Sequence, residues 1–186
     1  MRFRALTFAF ATLAACAAAP KPQVAFSTNL GSFTVELNPE AAHRTVANFL
    51  GYVKSGQYKG TTFHRVIANF MIQGGGMTAD GTEKATLAPI QNEAKEAAAK
   101  GMKNVRGSIA MARTSAPHSA TAQFFVNVKD NTFLDYPGQD GWGYCVFGQV
   151  VKGMDTVDKI RDVKTGSGDM PVTPVVISDV RLVPAK

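Results

Sequence analysis

The sequence predicts a mainly β chain whose strands close into an antiparallel barrel, with two α-helices over its open ends. Three observations carry this expectation. Short apolar segments recur at close spacing, and loops rich in Gly, Ser, Thr and Pro separate them. Only two longer stretches hold an apolar stripe at helical spacing. Closure is the arrangement that leaves so many strands without an exposed edge. Composition agrees: 186 residues with 45% hydrophobic and 18% charged residues make one ordinary globular domain and argue against disorder. The 17 glycines are spread without a period, as many short strands and turns require.

Residues 1–19 are of another kind. Arg2 and Arg4 precede an apolar run from Ala5 to about Ala15, and small residues follow. That order is the order of a secretory signal, and the run is shorter than the ~20 residues of a membrane span. Two processing routes are open. Leu13-Ala14-Ala15-Cys16 has the form of a lipobox, which would make Cys16 a lipidated first residue and tether the domain to a membrane. Ordinary cleavage after the small residues would release it. Either route places the domain, residues 20–186, outside the cytoplasm, in a periplasm or facing it. Without its leader the chain holds 18 basic and 14 acidic residues, a mild net charge of +4, and no dense Lys/Arg run, so nucleic acid is not an expected partner. Cys145 is then alone and reads as a small buried hydrophobe.

The domain opens with PQVAFSTNLGSFTVELN, two strands about a turn at Asn29-Leu30-Gly31, with Phe33, Val35 and Leu37 alternating against Thr34 and Glu36. A helix follows, with Asn38-Pro39 as its start signal, Val46, Phe49, Leu50 and Val53 as its stripe, and Gly56 as its stop. The segments TTFHRVI, NFMIQGG, GSIAMAR, AQFFVNV and YCVFGQVV read as strands. NEAKEAAAKGMKN reads as a surface turn of helix ended by Gly101, and GMDTVDKIRDV as the second long helix, with Met154, Val157 and Ile160 on one face. VTPVVISDVRLV closes the chain as a strand.

Several chemistries are excluded by their missing motifs. There is no GxxxxGK[ST] nucleotide loop, no CxxC, and no GxSxG elbow, and His43, His64 and His118 lack paired metal spacing. What stands out is TFHRVIANFMIQGGGMT at 62–78 and GSIAMARTSAPHSATAQFFVNV at 107–128. These runs closely resemble cyclophilins. The family signature F-H-R-x-I-x-x-F-M-x-Q-G-G runs here from Phe63 to Gly75, and Met111-Ala112-Arg113 with Gln123-Phe124-Phe125 matches a second block, Ala122 replacing the usual Ser. GWGYCVFGQVVKGMDTVDKI at 141–160 is similar to the bacterial branch, and the resemblance spans about residues 24–183.

The resemblance implies an eight-stranded barrel capped by two helices, with a groove on its outer face that binds proline-containing polypeptides. It implies a peptidyl-prolyl cis/trans isomerase that assists the folding of exported proteins. Arg65 matches the catalytic arginine. Phe70, Met71, Phe125 and Leu134 match the proline pocket, Gln73 and Gln123 the polar groups that orient substrate, and Ala112 and Arg113 the backbone that binds its main chain. Phe133 stands where many members have Trp, and Tyr144 where many have His. Without the motif, Phe70, Met71 and Phe125 would read as core, His64 as a structural histidine, Trp142 as loop packing, and the Arg113 side chain as solvated. No cofactor or metal is expected, since the reaction breaks no covalent bond. A monomer is the default. A non-catalytic module that only holds clients is the alternative function.

Overall fold

A computed structural model describes residues 20–184; the expected export segment, Cys16 included, lies outside the described residues. Eight antiparallel strands form one sheet: β1 (Gln23–Thr28), β2 (Gly31–Leu37), β3 (Arg65–Ile67), β4 (Met71–Gly74), β5 (Ser108–Met111), β6 (Phe124–Asn127), β7 (Val146–Lys152) and β8 (Ile177–Val183). Their order across the sheet is β3-β4-β6-β5-β7-β2-β1-β8. The helices are α1 (His43–Lys54), the short α2 (Ala94–Ala99) and α3 (Met154–Arg161).

The sheet curls, but the expected closure of the ladder is not made. β3 and β8 end it and do not pair with each other. The chain just before each of them meets instead. Phe63 N–H donates to the Val175 carbonyl at 2.9 Å, and Ile177 N–H to that of Thr61 at 2.7 Å. Pro171 and Pro174 lie on this approach to β8, and a residue without an N–H cannot continue a ladder. β3 is only three residues long, and β8 meets the chain before β3 through its first residue, Ile177.

Helix α1 starts later than Asn38-Pro39 suggests. Residues 38–42 form a turn in which Ala41 and Ala42 N–H both donate to the Asn38 carbonyl at 3.2 Å. The helix begins at His43 behind Ala42, which has no side chain to cap it. The cap comes from far along the chain. Glu93 accepts from the N–H of Arg44 at 3.1 Å and of Thr45 at 2.7 Å, and from the Thr45 hydroxyl at 2.8 Å. A buried carboxylate here satisfies orphan donors and complements the helix dipole. The stop is local, as expected. Gly56, at φ +73°, donates to the Val53 carbonyl and Gln57 to that of Tyr52, which is a Schellman closure. α3 is entered through Gly153, at φ +76°, where a Cβ would sit 2.3 Å from the Ser32 carbonyl.

The interior is aromatic. On β6, Phe124 points inward, and its ring meets those of Phe26, Phe49, Tyr58 and Phe63 at 5.4–6.0 Å. Val46, Phe49 and Val53 of α1 and Val157 and Ile160 of α3 complete the packing. Cys145 is buried beside Thr45, and burial pushes its thiol up to about 12, so it packs rather than reacts. Phe124→Ala should remove about 3–5 kcal/mol of stability through the cavity it leaves. Urea unfolding checks this as a lower midpoint at unchanged slope.

Candidate active site

Strand alternation splits β4, β5, β6 and β7 between two apolar faces. Ile72, Ile109, Met111, Phe124, Val126 and Phe147 join the interior. Met71, Ala110, Phe125 and Val146 point the other way and build a second apolar cluster with Leu134 on the outer face. A groove of about 110 Å³ lies over this cluster, lined by Arg65, Phe70, Met71, Gln73, Ala112, Arg113, Phe125, Leu134 and Tyr144. Nine of the eleven residues singled out from the sequence thus share one concave surface. The other two sit beside it. Gln123 accepts a 2.8 Å hydrogen bond from Gln73 and lines an adjoining hollow with Gln73, Ala112 and Arg113. Phe133 is half exposed on the rim, stacked on Phe70 at 5.7 Å between ring centres.

Arg65 sits on β3 directly across from Gln73 on β4. Its side chain is about 43% exposed, and its Nε lies 3.3 Å from the Asp169 carboxylate. Its neighbour His64 is not among the residues that line the groove. Burial lowers the His64 imidazole below its usual value, and its Nδ1 has no hydrogen-bond partner.

The walls are held from behind by a buried asparagine cluster. Asn127, at the end of β6, donates to Asn104 Oδ1 at 3.1 Å and to Ser108 Oγ at 2.9 Å. Asn131 donates to Asn127 Oδ1 at 2.7 Å and to the Phe70 carbonyl at 2.8 Å. Asn104 reaches Asp135 Oδ1 at 2.9 Å. These bonds fix the backbone that carries Phe70 on one side and Phe133 and Leu134 on the other.

The Arg113 side chain corrects an expectation. It is not solvated: only 3% of it is exposed. It pairs with Asp140, donates from Nε and Nη2 to the Gly143 carbonyl at 3.2 and 3.0 Å, and lies over the Tyr144 ring at 4.3 Å. Asp140 also accepts from the N–H groups of Trp142 and Gly143 at 2.9 and 3.0 Å. So Arg113 lines the groove while its guanidinium bolts loop 138–143 to the sheet. The sequence could flag Asn127 and Asn131 as polar residues closing an apolar run. Asp140 and Asp169 gave no signal, since their partners are distant in the chain.

The family model for "Cyclophilin type peptidyl-prolyl cis-trans isomerase/CLD" matches residues 23–182, from the first strand to the last. The chain belongs to the cyclophilins. Peptidyl-prolyl cis-trans isomerase cyp18 of Streptomyces antibioticus is 55% identical to this cyclophilin over 165 residues, covering 86% of this chain and 97% of that one. Peptidyl-prolyl cis-trans isomerase B of Escherichia coli K12 is 54% identical over 163 residues, covering 84% and 97%. Among solved structures, a Cryptosporidium parvum cyclophilin type isomerase superposes with a TM-score of 0.70 at 25% identity, over 89% of this chain and 99% of that one.

The Asp140 clamp gives the cyclophilin a defined acid sensitivity. The Arg113 guanidinium, and then the backbone N–H of Gly143, hold the Asp140 carboxyl at about 2, below its usual 3.8. A depressed carboxylate stabilises the fold fully above its unfolded pKa and loses that contribution as pH falls through the folded one. Asp140→Asn should therefore melt at a lower temperature than wild type at pH 5–7, and the gap should close between about pH 4 and pH 2. Thermal melts followed by the emission of Trp142, the chain's one tryptophan, check this.

Proposed function

We propose that this cyclophilin catalyses prolyl isomerisation on exported polypeptides, with Arg65 as its catalytic residue. That it is a peptidyl-prolyl cis-trans isomerase follows from the family and from relatives of that name at 47–55% identity over most of the chain. The observation that carries the site reading is a half-exposed cationic side chain, Arg65, in a groove that also holds the apolar side chains of Phe70, Met71, Phe125 and Leu134.

The chemistry fits that arrangement. Rotating the amide breaks its partial double bond against a barrier of ~18–20 kcal/mol. In the twisted state the proline nitrogen turns pyramidal and regains its lone pair. A guanidinium donor placed there binds the twisted state better than the planar one, and only such a difference accelerates the step. Arg stays charged and presents rigid donors. The apolar floor takes the proline ring, while Gln73 and the backbone at Ala112–Arg113 hold the chain on one side of the rotating bond. A turnover on the order of 10³ s⁻¹ requires removing roughly 6 kcal/mol. One charged hydrogen bond contributes about 1.5–3 kcal/mol. The balance falls to the dry groove and the main-chain anchor.

The export reading rests on residues 1–19: a basic start, a short apolar run and small residues before Pro20. Both processing routes, release into a periplasm and lipidation at Cys16, follow from it, and both would let the enzyme meet clients as they emerge unfolded. Mass spectrometry of the protein from its host should find the first 15 to 19 residues removed; an intact, cytoplasmic N-terminus would overturn the export reading. An acyl mass on Cys16 would select the tethered form.

Arg65→Ala should lose at least about tenfold in kcat/KM in a protease-coupled proline-isomerisation assay, and Arg65→Lys should not restore it. Near-normal turnover in a folded Arg65→Ala protein would overturn the mechanism and favour a module that binds clients without turning them over.

A further inference from the structure

The one acidic contact of Arg65 comes from a segment the family signature does not include. Asp169 lies 104 residues further on, in the loop between α3 and β8, and its Oδ2 accepts from Arg65 Nε at 3.3 Å. Both side chains are about half exposed, at 43% and 45%. A pair like that adds little to stability. Its geometry adds something else. An arginine has one N–H on Nε and four on its two terminal nitrogens. Asp169 occupies the single Nε donor and leaves the terminal edge free.

The backbone supports the same assignment independently. Asp169 stands at φ +61°, the only positive φ on a non-glycine residue in the described chain. Gly168 before it is at φ +69°. Such conformations are costly for most side chains, and a residue held there points to a function. The loop is braced to hold it. Gly166 N–H donates to the Met170 carbonyl at 2.8 Å and Val172 N–H to that of Lys164 at 2.9 Å, with Thr165 and Pro171 bridged across the base. A small hydrogen-bonded hairpin thus carries a left-handed aspartate at its tip, in contact with the arginine of the groove.

We infer that Asp169 is a positioning residue for Arg65: it fixes the guanidinium by its Nε edge so that the terminal nitrogens face the rotating bond. The inference rests on the proposed role of Arg65. It assigns to this loop a part in turnover that does not involve touching the substrate.

The test is a double-mutant cycle in the isomerase assay. Asp169→Gly removes the carboxylate at a φ that glycine accepts freely. It should lose roughly three- to tenfold in kcat with KM within about twofold, since the arginine is mis-aimed and the pocket intact. Asp169→Asn tolerates the same φ and keeps an acceptor, and it should recover to within about threefold of wild type. In an Arg65→Ala background, Asp169→Gly should cost nothing further, because the two act as a unit. The Arg65 Nε–Hε signal in ¹⁵N-correlated NMR should be sharp and shifted in wild type and in Asp169→Asn, and collapse toward the free-arginine position in Asp169→Gly. Full activity in Asp169→Gly, a loss confined to KM, or an additional loss on top of Arg65→Ala would each overturn the positioning role while leaving the role of Arg65 standing. An Arg65→Ala protein with undiminished turnover would overturn both.

Discussion

The structure depends on a two-residue alternation that is apolar on both sides. On most half-buried sheets one face is wet, and polar residues mark it. Here β6 reads Phe124-Phe125-Val126-Asn127, and every one of them is buried. Phe124 and Val126 fill the interior, Phe125 floors the groove, and Asn127 anchors the groove's wall. A slip of one residue would drive an asparagine into the aromatic interior and leave the groove without its floor. Register on this strand therefore fixes both the core and the site, and its antiparallel pairs with β4 and β5 transmit that register to Met71, Gln73 and Ala110.

The polar parts of the site are built on that frame rather than beside it. Arg113 lines the groove and ties its guanidinium to Asp140 and Gly143, so one residue joins the groove to the loop beside it. The asparagines at 104, 127 and 131 do likewise for the opposite wall. Buried amides that bond one another in a chain tolerate little movement, because each lost bond leaves a partner unsatisfied. The groove wall that carries Phe70 is tied to these amides. The groove's half-exposed charged member, Arg65, has an ion-pair contact with Asp169 at 3.3 Å.

Much of the fold was legible in the sequence because its signals are local. Alternation at Phe33, Val35 and Leu37 marked β2, and Gly56 marked the end of α1. What escaped was non-local. The start of α1 was misplaced because its cap is Glu93, about fifty residues away, while Ala42 carries no signal at all. Closure of the barrel was inferred from strand count, whereas the pairing of β3 with β8 is forestalled by two prolines and a three-residue strand. The groove residues were found through a motif; from spacing alone Phe70, Met71 and Phe125 look like core, and on the sheet's outer face they do form a buried cluster. The burial of the Arg113 side chain could not be read, since its carboxylate partner lies in another loop.

The place of β8 in the sheet bears on how the chain comes to be folded at all. β1 lies between β2 and β8, so residues 23–28 find their second partner only in residues 177–183. During synthesis, β1 and β2 emerge early and wait, one edge of β1 unmatched, while some 140 further residues follow. The pairing that completes the sheet is among the last to become available. A chain ordered this way holds back from its finished state until nearly all of it is present.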